Sequence, residues 1–453
     1  MKLRTLKALP AAVIMVAALG GCMGNSVIDD MSTVKRLGDE PQKRIVIWHT
    51  YSDEETVVFE KEVIPKFEAE HPDIRIESVR QTHNREYHAA LLARASAGKT
   101  PDIIRMDYTW VSLFAQRNLL QPLERFPEFG NVSRQLQGRM METNRYADHT
   151  YGLPLNITTK AAIYNERLLS GLGVAEPPSS FSELVKLARD NGYALGMSDV
   201  GMWNSLPYFM ALGGQLADED FTRTDGYLNS ERSIAAMKQL LGLYREGVIN
   251  PWLLKGNADL WREVYDEDRF LMIDEGPWYY SILLNSSGVE VDLLERTKPA
   301  PFPTDGEYGS VIGGESLVMT KGARHKPEAW TFMSWLVKKE TQLTLLKAGL
   351  IPVNTEAFEE GRRSDSKANR YLEAFMDGIQ QAFYRPAIPQ WNEVEKLYEA
   401  AMEDIFMRGS DVETTLRETS EKSTRCWQIR RKSRYCTNKV SSCHFRPVFR
   451  RLY

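Results

Sequence analysis

Two short runs of aromatic and polar residues have the side chains that a sugar-binding site requires. They are His49-Thr50-Tyr51-Ser52-Asp53-Glu54 and Asp107-Tyr108-Thr109-Trp110. Aromatic rings stack on the CH-rich faces of pyranose rings, while carboxylates and hydroxyls form hydrogen bonds with sugar hydroxyls. Both runs therefore indicate a site for a small polyhydroxylated solute.

Each run follows a predicted β-strand. Apolar stretches at Ile45–Trp48, Ile74–Val79 and Ile103–Met106 alternate with predicted helices, the first of which begins at a capping box formed by Ser52 and Glu55. This β-α-β-α order predicts a mostly parallel sheet covered by helices on both faces. Ligands bind to such sheets beyond the carboxyl ends of the strands, which is where both runs lie.

The rest of the chain is predicted to be more helical, and the first helix is expected to kink at Pro65. Further helices are predicted at Tyr87–Ala97, Trp110–Arg117, Phe181–Asp190, Ser233–Glu246, Trp261–Tyr265, Pro327–Lys339, Tyr371–Ala382 and Trp391–Met407, and further strands at Ala161–Tyr164, Phe270–Ile273 and Ser316–Met319. Two α/β lobes joined by chain crossings fit this pattern better than one large sheet does.

Short motifs along the chain carry a family resemblance. They are Pro101-Asp102-Ile103-Ile104, Phe114-Ala115, Leu119-Leu120-Gln121-Pro122-Leu123, Tyr151-Gly152-Leu153-Pro154, Ile163-Tyr164-Asn165, Gly213-Gly214, Gly276-Pro277-Trp278 and Ile312-Gly313-Gly314. Each motif is weak alone, but their order and spacing are specific. Over roughly residues 43–422 the chain resembles the family 1 extracellular solute-binding proteins, the maltose-binding-protein-like group.

The resemblance implies an α/β fold of the type II periplasmic-binding-protein kind, with two lobes that close on a ligand by a hinge motion. It implies a first lobe at residues 43–154 and 312–355 and a second lobe at residues 155–311 and 356–422. It also implies a monomeric receptor without a cofactor or catalytic activity. Such a receptor captures a carbohydrate, here expected to be an oligosaccharide, and delivers it to the permease subunits of an ABC importer.

The resemblance also gives a set of candidate ligand-binding residues. They are His49, Tyr51, Asp53, Glu54, Asp107, Tyr108, Trp203, Asn204, Tyr208, Trp278, Gly313, Glu315 and Trp391. Asp107 and Tyr108 match a position at which related proteins accept hydrogen bonds from sugar hydroxyls. Trp278 and Trp391 match positions of stacking aromatic residues.

Several candidates have a purely structural alternative. A tryptophan more often packs in the core than against a ligand, and His49 also suits a buried position. Asp53 and Glu54 also suit the first turn of a helix, where acidic side chains are favoured. Gly313 and its neighbour Gly314 also suit a close approach between backbones.

Other chemistries are excluded or left open. Residues 97–100 resemble the end of a phosphate-binding loop, but Ala93 replaces the required first glycine and the segment follows a helix. His83 and His88 lack the spacing of a metal-binding pair, so no metal is expected. A secreted glycoside hydrolase is one alternative function, with Asp274 and Glu275 as the candidate catalytic carboxylates. A receptor for a polyamine or another small cation is a second alternative.

The N-terminus has the features of an export signal. Three basic residues precede the apolar stretch Ala8–Leu19, which is too short for a membrane span of about 20 residues. The sequence Leu19-Gly20-Gly21-Cys22 resembles a lipobox. We expect residues 1–21 to be a lipoprotein signal peptide and residues 22–42 to be a flexible tether. Cys22 is expected to carry a lipid that anchors the protein at the extracytoplasmic face of the cell membrane. A plain secretory signal or a retained anchor helix is the alternative.

Charge is unevenly distributed along the chain. The formal net charge is −4, but residues 1–21 and 423–453 contain bases and no acids, so the segment between them is strongly acidic. An acidic body repels phosphate backbones, and we therefore expect no binding of nucleic acid.

The C-terminal segment differs from the family pattern. Residues 423–453 contain three of the four cysteines and no acid. We expect them to be disordered, and our hypothesis is that they are an aberrant, frameshifted translation. A real basic extension that contacts anionic lipid is the alternative.

Overall fold

The computed structural model describes residues 42–82, 87–255, 259–285, 292–364 and 371–437, with side chains described as far as residue 427. These residues belong to a structural unit that begins at Gln42. The predicted signal peptide and Cys22 lie outside the described residues, as do His83 and residues 438–453.

The described residues form a seven-stranded sheet in the order β12-β6-β11-β3-β1-β2 with β13 paired to β11, a four-stranded sheet in the order β10-β7-β9-β8, and the small pair β4-β5. The strands are β1 (Lys43–His49), β2 (Ile74–Arg80), β3 (Ile103–Asp107), β4 (Arg145–Tyr146), β5 (His149–Thr150), β6 (Gly152–Thr159), β7 (Ala161–Asn165), β8 (Ala194–Gly196), β9 (Phe270–Glu275), β10 (Thr297–Pro301), β11 (Ser310–Met319), β12 (Ile351–Pro352) and β13 (Ala382–Tyr384). Each larger sheet is the centre of one lobe.

Helices cover both sheets. They are α1 (Asp53–Val58), α2 (Ile64–Glu70), α3 (Tyr87–Ser96), α4 (Tyr108–Gln116), α5 (Phe129–Arg134), α6 (Gly138–Glu142), α7 (Glu166–Gly171), α8 (Phe181–Asn191), α9 (Met202–Ala211), α10 (Glu231–Glu246), α11 (Leu260–Asp266), α12 (Trp278–Asn285), α13 (Leu293–Arg296), α14 (Lys326–Leu336), α15 (Lys339–Leu346), α16 (Thr355–Arg362), α17 (Leu372–Gly378), α18 (Trp391–Met407) and α19 (Val412–Thr437). A π-helical turn, Phe59–Val63, lies between α1 and α2, and a 3₁₀ turn, Ile379–Gln381, follows α17.

The N-terminal part of the first lobe has the predicted order. Strand β1 pairs in parallel with β2 and with β3. Helix α1 begins at the predicted capping box, in which the Ser52 hydroxyl accepts from the Glu55 N–H and the Glu55 carboxylate accepts from the Ser52 N–H. The predicted helix that contains Pro65 is divided into α1, the π-helical turn and α2, and Pro65 lies in the first turn of α2, where its missing N–H is tolerated. The kink expected there stays a prediction.

Strand β11 is the longest strand of the large sheet and pairs with β3, β6 and β13. The apolar pattern predicted only its second half, because Gly313 and Gly314 interrupt the pattern. Gly314 has a φ of +132°, and a Cβ atom there would lie 2.3 Å from the backbone oxygen of Asn156 in β6. The close backbone approach considered for this glycine pair is therefore confirmed at Gly314.

The chain crosses between the two sheets at Lys160, which separates β6 from β7, and again between β10 and β11. The two crossings are tied together, because the Ser310 hydroxyl donates to the Lys160 backbone oxygen at 2.8 Å. The Lys160 side chain is fully buried, forms an ion pair with Asp274 and donates to the Asn204 side-chain oxygen at 2.7 Å. These contacts fix the connection between the lobes.

The predicted helix Tyr371–Ala382 is shorter in the structure. Helix α17 ends at Gly378, and Ala382–Tyr384 instead forms β13 on the edge of β11. Pairing with a distant strand overrides the local helical pattern at this point.

The C-terminal helix α19 extends past the point at which the composition changes. Ser423 and Trp427 are buried, and the Thr424 hydroxyl accepts hydrogen bonds from the backbone N–H groups of Thr224 and Asp225, both at 3.1 Å. The expectation of disorder therefore does not hold for residues 423–427, because helical spacing places these side chains on the face that packs against the body. None of the described helices combines the length and the apolar composition that a membrane span requires.

Candidate functional site

A cavity of about 1340 Å³ lies where elements of the two lobes face each other. Its wall includes the segments that follow β1 and β3, the paired strands β6 and β11, the first turns of α9 and α12, and one face of α18. The cavity therefore lies beyond the carboxyl ends of β1 and β3, the position expected from the sheet topology.

Arg105 is the centre of a charged cluster on the first lobe. Its side chain is only 3% exposed and donates to the Glu315 carboxylate at 2.8 Å and to the Asn156 side-chain oxygen at 3.3 Å. It also donates to the Thr50 hydroxyl at 3.2 Å, and its guanidinium lies 4.2 Å from the centre of the Tyr51 ring. The buried cation is therefore neutralised, and it holds Glu315 at the cavity wall.

Arg385 forms a second cluster beside the first. It donates to the Asp107 carboxylate at 2.8 Å and to the Ile312 backbone oxygen at 3.0 Å. Asp107 also caps α4 by accepting from the Thr109 N–H. A guanidinium nitrogen of Arg385 lies 4.0 Å from the Glu395 carboxylate. Burial raises the pKa of Glu395 to about 7, although Arg385 opposes the rise.

Two tryptophans of the second lobe face the cavity together. The ring centres of Trp203 and Trp278 are 6.3 Å apart, and the ring planes are inclined by 35°. A Cβ atom at Gly313 would lie 2.8 Å from the Trp203 ring, and one at Gly276 would lie 2.3 Å from the Trp278 ring. Both rings are half-buried, so they form a supported aromatic surface whose remaining area borders the cavity.

The structure brings a subset of the candidate residues together around this cavity. The candidates that line it are Tyr51, Asp107, Trp203, Asn204, Trp278, Gly313 and Glu315. They come from both lobes, which is the arrangement that a closing cleft requires. Their contacts with a ligand stay a prediction.

Four other candidates are fully buried and do not line the cavity. His49 pairs with the Ser78 hydroxyl at 2.7 Å, and burial, with a further contribution from Arg105, lowers its pKa to about 3. The Tyr108 hydroxyl lies 3.0 Å from the Arg385 backbone oxygen, and the Tyr208 hydroxyl donates to Asp274 at 2.7 Å. Trp391 packs in the core of the second lobe. The structural alternative considered for His49 and for tryptophans therefore describes the positions of His49 and Trp391, whereas the burial of Tyr108 and Tyr208 had no counterpart in the sequence analysis.

Asp53 and Glu54 also lie outside the cavity wall. Both occupy the first turn of α1, and Asp53 is exposed and forms an ion pair with Arg80. The alternative considered for them, a place in the first turn of a helix, therefore describes their positions, because acidic side chains are favoured near the N-terminus of a helix.

Sequence reasoning missed several residues of the wall. Arg105 carried a usable signal, since it is a charge within an otherwise apolar predicted strand. Glu395 and Glu399 lie four residues apart on the correctly predicted helix α18 and therefore share a face. Nothing near Arg385 or Asn156 in the sequence identified them, because distant strands bring them to the cavity.

The side chains of Asp274 and Glu275 diverge, as expected for neighbouring residues of a β-strand. Asp274 accepts from the Tyr208 hydroxyl, while Glu275 accepts from the indole N–H groups of Trp261 at 2.9 Å and Trp278 at 2.8 Å. Burial raises the pKa of Asp274 to about 6. Neither carboxylate lines the cavity, so they are not placed to act together on one glycosidic bond.

Within the part of the chain that the structure describes, no group of three or more histidine, cysteine, aspartate or glutamate residues is placed to hold a metal ion.

Comparison with protein families and with known proteins agrees with this architecture. Residues 62–370 match the family described as bacterial extracellular solute-binding protein. The maltotriose-binding protein of Pyrococcus abyssi is 25% identical over 394 residues, which are 83% of this chain and 81% of that protein. A maltooligosaccharide ABC transporter solute-binding lipoprotein of Streptococcus pneumoniae is 26% identical over 229 residues, 48% of this chain and 52% of that one.

Among solved structures, the GacH receptor of Streptomyces glaucescens, studied unliganded and in complex with acarbose, has a similar fold. Its TM-score is 0.74 at 21% identity, and the match covers 86% of this chain and 99% of that one. The two-lobed α/β architecture is therefore shared with a known receptor.

Proposed function

Because the chain belongs to the bacterial extracellular solute-binding protein family, we propose that it is the receptor of an ABC importer and that its solute is an oligosaccharide. The solute enters the open cleft, contacts both lobes and is released to the permease subunits of the importer. The receptor itself leaves the solute chemically unchanged.

The observation that carries the proposal is the cavity shared by the two lobes. Its volume of about 1340 Å³ exceeds the roughly 300–1,000 Å³ of most small-molecule pockets, which leaves room for more than one sugar ring. Trp203 and Trp278 offer aromatic faces, while Asp107, Asn204 and Glu315 offer polar groups at its edges. This combination suits a pyranose, whose faces are apolar and whose rim carries hydroxyls.

The relatives support the same class of solute. The archaeal and streptococcal relatives are named for maltotriose and for maltooligosaccharides. Maltotriose and longer α-linked glucose oligomers are therefore the first solutes to test.

Transport requires the closed lobes to be favoured by the bound solute. A ligand shifts the equilibrium between open and closed forms only by its difference in affinity for the two forms. A solute that contacts Tyr51 and Glu315 on one lobe and Trp278 on the other gains its full set of contacts only when the cleft is closed. The closed form is then the one that docks on the permease.

We propose that the protein is attached to the membrane through a lipid on Cys22. The sequence before Cys22 supports this, and so does the lipoprotein relative. Replacement by alanine in the full precursor should move the protein from the membrane fraction to the soluble fraction and abolish labelling by a palmitate analogue. A Cys22→Ala variant that stays labelled would contradict the proposal.

A glycoside hydrolase is the second candidate, and Glu395 is the observation that favours it. A carboxyl group with a pKa near 7 that borders a sugar-sized cavity resembles a general acid. Incubation of the protein with maltooligosaccharides for several days, followed by an assay for new reducing ends, separates the two functions. Release of more than one reducing end per protein molecule would exclude a pure receptor.

A small cation is the third candidate solute. Asp199 and Glu399 both line the cavity, so that negative charge is available on the second lobe. Calorimetric titrations with putrescine and with maltotriose under the same conditions distinguish a cation receptor from an oligosaccharide receptor.

A thermal-shift screen tests the proposed class of solute. A ligand at 100 times its Kd adds about 2.7 kcal/mol to the free energy of unfolding. For a unit of this size the melting temperature should then rise by about 3 °C. Maltooligosaccharides are expected to raise it, whereas amino acids are not. A rise with putrescine and none with any oligosaccharide would overturn the oligosaccharide assignment.

A further inference from the structure

Glu275, the last residue of β9, is a buried carboxylate with neutral partners. It is 8% exposed, and its hydrogen-bond donors in the described part of the chain are the indole N–H groups of Trp261 and Trp278 and the backbone N–H of Gly276. Each of its two oxygens accepts from one indole, at 2.9 Å for Trp261 and 2.8 Å for Trp278.

Such an arrangement is not explained by stability alone. A carboxylate that leaves water without a cationic partner loses hydration that neutral hydrogen bonds restore only in part. Apolar residues of similar size fill buried positions at lower cost. A role beyond folding is therefore the more economical explanation for a charge at this position.

The two indole side chains that donate to Glu275 indicate what this role is. Of its two indole partners, Trp278 lines the cavity and Trp261 does not. The Trp278 ring is supported by Gly276 beneath it and lies beside Trp203, but packing against a flat ring leaves rotation within the ring plane weakly defined. The hydrogen bond from the indole N–H to Glu275 fixes that remaining freedom, because hydrogen bonds to charged acceptors are short and strong.

We propose that Glu275 is a positioning residue for solute binding, which locks the Trp278 ring in the orientation that presents its free face to the cavity. The inference rests on the proposed function, since it assigns Trp278 to the solute. Glu275 acts through preorganisation, because a Trp278 ring that is already held loses little rotamer freedom when the solute binds.

The first test is the Glu275→Gln variant. Glutamine has the same size but is uncharged and replaces one carboxylate oxygen by an N–H₂ group, so it holds the indoles through a single, weaker acceptor oxygen. We expect its Kd for maltotriose to rise about tenfold, the scale of one lost hydrogen bond to a charged group. The melting temperature of the ligand-free variant should be unchanged or higher.

A matched control is available on the neighbouring helix. Glu263 in α11 is also buried, but it forms an ion pair with Arg269 and does not line the cavity. Glu263→Gln should lower the melting temperature and leave the Kd for maltotriose unchanged. Equal losses of affinity in the two variants would show a general structural effect and would overturn the inference.

A double-mutant cycle tests the link to Trp278. Trp278→Phe removes the same hydrogen bond from the other partner while it keeps an aromatic ring. In that background Glu275→Gln should have no further effect on affinity. The same tenfold loss in both backgrounds would contradict a role through Trp278. If Glu275→Gln does not fold, Glu275→Met takes its place, because an apolar side chain of similar size suits a buried position and leaves both indoles without a charged acceptor. Weaker maltotriose binding by Glu275→Met supports the inference, and wild-type affinity overturns it.

Nuclear magnetic resonance of the indole N–H groups gives a readout that needs no solute. The Trp278 signal, assigned from its loss in Trp278→Phe, should exchange faster with water and shift in Glu275→Gln. If the wild-type protein binds no oligosaccharide, the proposed function fails, but this comparison still decides the positioning role. An unchanged Trp278 signal would refute it.

Discussion

At the scale of single residues, two arginines of the cavity wall are neutralised by neighbours before any solute arrives. Arg105 pairs with Glu315 and Arg385 pairs with Asp107, both at 2.8 Å. These pairs fix the orientation of the carboxylates, so that a neutral solute meets acceptors that are already in place. Binding therefore loses less free energy to the reorganisation of side chains.

Trp278 provides the most direct test at this scale. Replacement by alanine should weaken maltotriose binding by about 1–3 kcal/mol, because a buried aromatic contact is lost. The fold should persist, since the ring is only half-buried. Titration calorimetry measures the affinity, and a Trp278→Ala variant with wild-type affinity would remove this residue from the site.

Trp391 serves as the control for that experiment, since it was a candidate stacking residue and is fully buried instead. Trp391→Phe should destabilise the fold by about 1–3 kcal/mol through lost packing. It should leave the affinity for maltotriose unchanged, because the side chain does not line the cavity.

Glu395 predicts a pH dependence of stability. Its pKa of about 7 in the folded protein lies above the usual value of about 4.3, so the folded state holds a proton that the unfolded state has already released. The free energy of unfolding of the wild type should therefore fall as the pH rises from about 4.5 to about 7, relative to Glu395→Gln.

Urea unfolding of both proteins at pH 4.5 and pH 7.5 measures this effect. From pH 4.5 to pH 7.5 the free energy of unfolding of Glu395→Gln should rise by roughly 2–3 kcal/mol relative to that of the wild type, at about 1.4 kcal/mol per pKa unit. If the free energies of unfolding of the two proteins differ by the same amount at both pH values, the raised pKa of Glu395 is contradicted. Arg385, Asp107, Glu399 and Lys396 all act on this carboxyl, and the comparison with a single variant cancels their own titration.

The sequence identified the residues of the wall that lie beside strong local signals. Tyr51 and Asp107 follow predicted strands, and Trp278 follows a glycine and a proline. His49 and Tyr108 lie in the same runs but are fully buried. Their hydrogen-bond partners, the Ser78 hydroxyl and the backbone oxygens of Ile312 and Arg385, are distant in the sequence, so local patterns could not place these two side chains. Arg385 reaches the cavity only through the tertiary packing around β11.

At the scale of secondary structure, β11 is the element on which both halves of the site depend. It carries Glu315 toward the first-lobe cluster and Gly313 beneath Trp203. Its passage beside β6 requires a residue without a side chain at position 314.

Gly314→Ala should destabilise the protein by about 2–4 kcal/mol. The φ of +132° is unfavourable for any residue with a Cβ atom, and the added atom would meet the backbone oxygen of Asn156. The matched control is Gly171→Ala at the end of α7, where a Cβ atom has open space. The control should change stability by less than about 1 kcal/mol. Urea unfolding of both variants compares them, and equal effects would contradict the strain argued for Gly314.

Local patterns predicted the regular elements and failed where distant pairing decides. The stripe of apolar residues in Trp391–Met407 gave the bounds of α18, and the alternation in Ile74–Val79 gave most of β2. Strand β6 has no comparable alternation, because it is buried on both faces and contains Pro154. The short strands β8 and β13 exist only through their partners β9 and β11.

At the scale of the whole molecule, two sheets are joined by crossings that meet at Lys160 and Ser310. The buried amine of Lys160 contacts Asn204 and Asp274 on the second lobe, while its backbone is tied to β11 of the first. Lys160 therefore links the first lobe to the second where the chain crosses between the sheets. The order of β-strands and helices predicted two lobes, but it did not predict this buried contact, since lysine is rarely fully buried and its partner Asp274 is distant in the sequence.

Calorimetric titration of the full-length mature protein with maltotriose tests the central claim most directly, because it reports binding and turnover in one experiment. We predict a saturable one-to-one isotherm, with heat that returns to the baseline after each injection and with a negative heat-capacity change from the burial of apolar surface. The absence of saturable heat with maltotriose and longer oligomers, or a steady heat flow that continues after saturation, would contradict a receptor that holds an oligosaccharide without transforming it.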